Sequence, residues 1–397
     1  MQFLFIFILV VASVTLPADE GMWEPYQMSE LKNEVRQAGF RRNINSISSP
    51  FEYPMNAIVS LGGCSASFVS PNGLIATNYH CIEGSYLQYN SSQENNLFET
   101  GFVARSLDEE KRSAPGARVY ITLSSSDITE KVLAGISDTT ENSQRANIIE
   151  ANRKKIINTC ETSAEIECRV RSFFSGETFK LEKVRVIKDV RLVYAPPASI
   201  GEYGGEIDNW MYPRHTGDFA LLRAYVSADG TSQEFNTANV PYASKNYLKI
   251  SARGVDEGDF VMVLGYPGRT NRLLTMNEID YDLTVGFQGV VDYLEHGIAL
   301  IDEHTNQEDG SALKYRGTKS GYENYYKKIS GQIDGAENFQ LLQYEQANWN
   351  KFLTFVENEL SSEDQEYLAR LLSLIDTQQA RALPNRYYGR STLISTA

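Results

Sequence analysis

The sequence predicts an α+β protein, an antiparallel β-barrel unit followed by an all-helical domain. Three observations carry this. Short apolar runs broken by Gly and by Pro-Asn-Gly fill the first part of the chain, and such punctuation belongs to antiparallel strands. Between 128 and 160, apolar residues recur at helical spacing among charges. Beyond Arg272, Gly and Val thin out and long amphipathic stretches take over. At 397 residues the chain exceeds what one core usually organises, so two structural units are expected.

The elements follow in order. The run from Phe3 to Ala12 is wholly apolar, long enough for a signal h-region and too short to span a bilayer comfortably. It predicts a signal peptide at 1–18, cleaved near Ala18, and hence a periplasmic or secreted protein with no membrane attachment after cleavage. Met1-Gln2 offers no Lys or Arg, and a buried strand or a membrane anchor is the alternative. Residues 28–35 read as a helix start with Ser29 as N-cap. Strands are expected at 57–61, 66–69 and 74–77, the last two joined through Ser70-Pro71-Asn72-Gly73. The stretch 128–160, with Ile128, Val132, Ile149 and Ile156 among its apolar positions, is a helical excursion.

Alternation at 183–194 and the runs 218–226 and 259–268 return to strand. The β-barrel region is therefore 19–272 and the helical region 273–397, with its longest amphipathic stretches at 338–360 and 365–383. An aromatic stripe there, including Tyr322, Phe339, Tyr344 and Phe355, is expected to pack rather than to bind a ligand.

A net charge of −14 leaves no basic footprint for a nucleic-acid partner. Four cysteines suit two local disulfides in an oxidising compartment. Cys64 with Cys81 would tie the strands flanking the 70–73 turn, and Cys160 with Cys168 would close a short loop; four buried thiols are the alternative. Neither pair has C-x-x-C spacing, so zinc or thioredoxin chemistry is not expected.

The segment Thr77-Asn78-Tyr79-His80-Cys81, preceded by Gly62-Gly63-Cys64-Ser65-Ala66-Ser67-Phe68-Val69, resembles the histidine loop of trypsin-like serine peptidases. The resemblance implies that His80 is a general base. Of the four histidines, His80, His215, His296 and His304, only His80 stands at a strand end beside a cysteine. Such a base needs a buried carboxylate to orient it. Gly217-Asp218-Phe219-Ala220-Leu221-Leu222-Arg223 resembles the Asp-bearing apolar strand of the same enzymes, so Asp218 is the candidate, and His before Asp is their chain order. The plain alternatives are a structural histidine and a solvent-exposed strand cap. No histidines are paired at helix-ligand spacing, so neither a metal nor another cofactor is expected.

Gly204-Gly205-Glu206-Ile207-Asp208-Asn209-Trp210-Met211-Tyr212-Pro213-Arg214-His215-Thr216-Gly217-Asp218-Phe219 is the most specific stretch. With Asp19-Glu20-Gly21-Met22-Trp23, the histidine loop and Gly265-Tyr266-Pro267-Gly268-Arg269-Thr270, it resembles the bacterial family containing dipeptidyl-peptidases 7 and 11. That resemblance implies a chymotrypsin-like double barrel with an inserted helical domain, and an exopeptidase that removes dipeptides from peptides with a free N-terminus. Asn209 and Trp210 match family residues that hold the substrate ammonium, for which an amide oxygen is an acceptor and an indole face a cation platform. A turn amide and a core aromatic are the bland readings of the two. His215 reads as structural. Family members resemble dimers, so a homodimer is the assembly the resemblance suggests.

Acyl transfer also needs a serine in a glycine-rich turn. No Gly-Asn-Ser-Gly or Gly-Asp-Ser-Gly occurs. Ser311, Ser320 and Ser330 adjoin glycines but lie in polar stretches of the helical region and make poor candidates. In the family the nucleophile follows the helical domain. The second barrel and its serine are thus expected to be missing from these residues, leaving an apolar surface exposed where that barrel would pack. Two readings follow: a serine-type dipeptidyl-peptidase represented by its N-terminal portion and inactive in this truncated form, or a catalytically inactive secreted peptide-binding protein that keeps Asn209 and Trp210.

Overall fold

Hairpin follows hairpin along the first part of the chain, so all strand pairing is antiparallel and falls in one sheet. A computed structural model describes residues 23–394, apart from 138, 174–175, 269–273 and 307. The signal peptide expected at 1–18 lies outside the described residues. The strands are β1 (Ile58–Ser60), β2 (Ser65–Phe68), β3 (Leu74–Thr77), β4 (Phe102–Val103), β5 (Lys111–Arg112), β6 (Val119–Asp127), β7 (Ile166–Phe173), β8 (Thr178–Ile187), β9 (Asp189–Ala195), β10 (Ala220–Val226) and β11 (Val240–Pro241). The sheet runs β4-β9-β10-β3-β2-β1-β6-β8-β7, with β5 added on β9 and β11 on β10.

Helices α1 (Lys32–Gln37), α2 (Leu97–Thr100), α3 (Thr129–Val132), α4 (Asn142–Cys160) and α5 (Ala198–Gly201) accompany the strands. Then α6 (Met276–Tyr281), α7 (Phe287–His304), α8 (Ser311–Asn338), α9 (Leu341–Glu359) and α10 (Ser362–Ile394) follow without an intervening strand. No helix among the described residues is long and apolar enough to cross a membrane.

Turn chemistry sets the β2–β3 hairpin. Ser70 Oγ accepts the backbone N–H groups of Asn72 (3.2 Å) and Leu74 (3.3 Å). Gly73 has φ +68°, and a Cβ there would stand 2.8 Å from the Ala224 carbonyl, so only glycine fits. Across the sheet, Ile75 of β3 faces Leu222 of β10, which faces Leu192 of β9. All three are fully buried and sit in the main core. A smaller core under α3 and α4 gathers Ile128, Val132, Val170 and Phe179, and the Cys160–Cys168 disulfide ties the end of α4 to β7. Helix α6 starts with a capping box, Thr275 and Glu278 each receiving the other's backbone N–H.

A sheet of antiparallel strands followed by helices is the class the sequence predicts, but several elements differ. The strand expected at 183–194 is two strands, because Lys188 turns its N–H to Ser232 Oγ (3.1 Å) and leaves the ladder. The helix expected at 28–35 begins at Lys32; Ser29 closes a preceding 3-10 turn, Pro25–Ser29, instead of capping α1. The stretch 259–268 is not strand, since a ladder needs a neighbour and none pairs with it among the described residues. Phe260 packs on Phe40, ring centres 5.2 Å apart, while Val261 and Val263 are 67% and 99% exposed. Ile250 and Val255 are exposed as well. The aromatic stripe packs only in part: Tyr322 rests on Tyr293, ring centres 6.2 Å apart, and Trp349 on Phe352 at 5.3 Å, whereas Phe339, Tyr344 and Phe355 are exposed. The buried positions of the C-terminal helices are aliphatic instead, namely Val291, Leu294, Ile329 and Val356.

Candidate active site

Strand pairing alone brings two distant segments to one edge of the sheet. Thr77 at the end of β3 faces Ala220 at the start of β10, so the residues just beyond the one and just before the other meet. His80 Nδ1 lies 2.8 Å from Asp218 Oδ2. A carboxylate only accepts, which assigns the proton to Nδ1. Asp218 Oδ1 also accepts the His80 backbone N–H (3.1 Å), and Asn78 Nδ2 donates to Oδ2 (3.1 Å) and to the Asp218 carbonyl (3.2 Å). Burial raises the Asp218 pKa, but the hydrogen bond and charge of His80 outweigh it and hold the carboxyl below its usual range.

The Asp218 side chain is 14% exposed and that of His80 57%. The imidazole is thus anchored on one edge and open on the other. The loop beneath is pinned twice: the Cys64–Cys81 disulfide joins it to β2, and Tyr79, fully buried, presses its ring against Gly201, where a Cβ would fall 2.4 Å from a ring carbon. Cys64, His80 and Cys81 cluster closely enough to suggest a metal, but both sulfurs are spent in the disulfide, and a thiolate is what ligates.

The second constellation is built on Asn209, 8% exposed. Its Nδ2 donates to Glu206 Oε2 and, at 2.7 Å, to Asn324 Oδ1. Its Oδ1 accepts the Trp210 backbone N–H (3.0 Å) and Arg214 Nη1 (3.1 Å). Every donor and lone pair of that amide is engaged. Trp210 carries φ 59°, rare for a bulky residue and a mark of a conformation held for a purpose. Its indole Nε1 donates to Asn324 Oδ1 (2.9 Å), and Lys328 Nζ sits 5.5 Å from the ring centre.

A cavity of about 390 Å³ is lined by His80 and Asp218 and by Glu206 and Arg214, the two side chains that bond Asn209. His80, Asp218, Glu206 and Arg214 line it from the sheet side; Arg316, Lys319 and Glu323 line it from α8. A sequence profile of the peptidase S46 family matches residues 18–396. The chain belongs to the peptidase S46 family.

Its S46 relatives include an Asp/Glu-specific dipeptidyl-peptidase of Shewanella putrefaciens, 38% identical over 98% of this chain and 53% of that one. Dipeptidyl-peptidase 7 of Porphyromonas gingivalis is 32% identical over 88% of this chain and 49% of its own length. Among solved structures, Porphyromonas endodontalis DPP11 in complex with the dipeptide Arg-Asp superposes with a TM-score of 0.83 at 27% identity, covering 91% of this chain and 53% of that one. The chain spans about half the length of the curated S46 relatives it matches.

Of the S46 site residues proposed from sequence, His80 and Asp218 are in contact, and Asn209 and Trp210 reach the same cavity through Glu206 and Arg214. Asn324 was missed. It lies 115 residues from Asn209 in a polar stretch of α8, where nothing in the sequence separates it from other helix-surface amides. Among the described residues no serine Oγ hydrogen-bonds His80: Ser311 Oγ bonds Asp309, Ser330 Oγ bonds the Tyr326 carbonyl, and Ser320 only lines the cavity. His215, His296 and His304 take no part in either constellation.

Proposed function

We propose that the chain carries the general base, its orienting carboxylate and the amine-binding half of a serine-type dipeptidyl-peptidase. The observation that carries this is that the His80–Asp218 pair lines one cavity with Glu206 and Arg214, the two side chains that bond Asn209 of the Asn209–Trp210–Asn324 network. A peptide ammonium would take the place of Lys328 over the Trp210 face, with the oxygens of Asn324 and Glu206 as acceptors. Asn209 then acts as the strut that holds Glu206, Asn324 and Trp210 in position. Two extended residues reach at most about 7 Å, so fixing the amine selects the second peptide bond for attack. His80 takes the proton of the attacking hydroxyl and later gives it to the leaving amine, while Asp218 keeps the imidazole in the required tautomer.

Secretion behind a signal peptide at 1–18, a β-barrel region over 19–272, a helical cap over 273–397 and a homodimer complete this reading. Among the described residues no serine hydroxyl bonds His80, and the chain spans about half of its relatives' length, so the peptidase activity is proposed for the whole protein. A second reading, a secreted peptide-binding protein without turnover, is favoured by one observation: the Asn209 network is fully hydrogen-bonded while, among the described residues, no serine hydroxyl bonds His80.

The test assays the 397-residue chain, and any longer reading frame containing it, on dipeptidyl-arylamides with acidic or hydrophobic second residues, free and N-acetylated. Hydrolysis of the free-amine substrates with serine labelling supports the peptidase. Binding without hydrolysis or labelling in every form supports the binder, and no dependence on the free N-terminus sinks both.

A further inference from the structure

Three residues past His80 the chain buries a carboxyl group that this chemistry does not use. Glu83 is 7% exposed, stands at the start of the π-turn Glu83–Gln88 and lines the same cavity as His80 and Asp218. Facing it are Glu202, just beyond α5, Arg316 in the second turn of α8, Asp218, and the Tyr79 hydroxyl. The other ionisable groups around the cavity are Glu206, Arg214, Asp302, Tyr315, Lys319 and Glu323.

Glu202 receives Arg316 Nη2 on Oε2. Its Oε1 is buried with no donor, and the Tyr79 hydroxyl beside it is buried without a partner too. An orphaned buried carboxylate oxygen is costly, and a second ionised carboxylate alongside would add repulsion. Glu83 and Glu202 line the same cavity, and Glu202 is among the groups that favour the protonated form of Glu83. Protonated, it supplies a donor where one is missing and removes the repulsion at once.

The same contact fastens α8. Arg316 lies over the Phe98 ring at 4.4 Å, and Gln88, at the far end of the π-turn, donates to the carbonyls of Leu313 (3.3 Å) and Lys314 (2.9 Å). Asn324 follows Arg316 on α8 by eight residues, roughly 12 Å along the axis.

We infer that Glu83 is a positioning residue: a neutral carboxylic acid that donates to Glu202, so that the chain Glu83–Glu202–Arg316 seats α8, and with it Asn324, against the segment bearing His80. The inference rests on the amine-site reading for what Asn324 does, but not for the proton. Burial first, then the neighbouring Glu202, pushes the Glu83 pKa up from 4.5 to about 8, with Arg316 pulling the other way. A folded-state pKa above the unfolded value means that the contact stabilises fully below about pH 4.5 and is lost as pH rises through about 8.

The test is infrared difference spectroscopy of the full chain, wild type minus Glu83→Gln, on either side of that pKa. A protonated-carboxyl carbonyl band is expected on the acid side, vanishing on the alkaline side and absent from the variant. Amide exchange across 311–324 is the second readout. Wild type should lose about ten-fold protection, corrected for intrinsic rates, as pH crosses the transition, whereas Glu83→Gln, which keeps a neutral donor, should not. A missing band, or equal pH dependence of α8 in both proteins, overturns the inference. If both readouts come out as expected while the chain ignores free peptide N-termini, the amine-site reading falls and the proton on Glu83 stands.

Discussion

Asp218 accepts four hydrogen bonds, two from His80 and two from Asn78, three of them at its carboxylate oxygens, and its replacement is the sharpest test at the residue scale. Asp218→Asn keeps the shape but presents a donor to Nδ1. In an active form of the protein it should lower kcat by about 10⁴-fold with little change in KM, measured by steady-state kinetics. Asn324→Ala removes the acceptor shared by Asn209 and Trp210. It should weaken binding of a free-amine peptide by roughly 5- to 150-fold, the equivalent of about 1–3 kcal/mol, and leave its N-acetylated twin unaffected. His80 and Asp218 were legible because each is flagged by covalent neighbours, a cysteine and an apolar strand. Asn324 was not, because its meaning lies entirely in what α8 is packed against.

At the scale of elements, the candidate base is positioned by pairing of β3 with β10 and by close approach of α5 to the loop between them. Gly201→Ala would drive a methyl group to within 2.4 Å of the Tyr79 ring, an overpacking cost of about 1–3 kcal/mol visible in urea unfolding. Gly321, on the exposed side of α8 with nothing within 4 Å of its Cβ position, makes the contrast. Gly321→Ala should stabilise by about 0.5–1 kcal/mol. The hairpin around Gly73 and the β10 run announce themselves through turn residues and a mostly apolar stretch interrupted only by Arg223. The break at Lys188 does not, since it depends on a hydroxyl 44 residues away at Ser232.

For the molecule as a whole, Val261 and Val263 are two apolar side chains left exposed in one short segment. Val263 is 99% exposed, so Val263→Lys should leave stability within about 0.5 kcal/mol while reducing self-association in light scattering. An unchanged association would show that this surface is not what drives it. The same scale explains why 259–268 reads as a strand and is not one here: its pattern is a property of the segment, whereas a ladder is a property of two.

The sequence by itself determined the fold class, the turn and disulfide that frame His80, and the family through motifs whose residues lie next to one another in the chain. These are local codes, written in φ preferences, apolar period and covalent spacing. Only the tertiary structure decided which distant side chains meet: that the Asn209 amide is saturated, that Asn324 joins its network, and that Glu83 lines one cavity with Glu202 and Arg316. Those contacts join residues more than a hundred positions apart, and the burial that governs the charge of Glu83 exists only once α8 has closed over it.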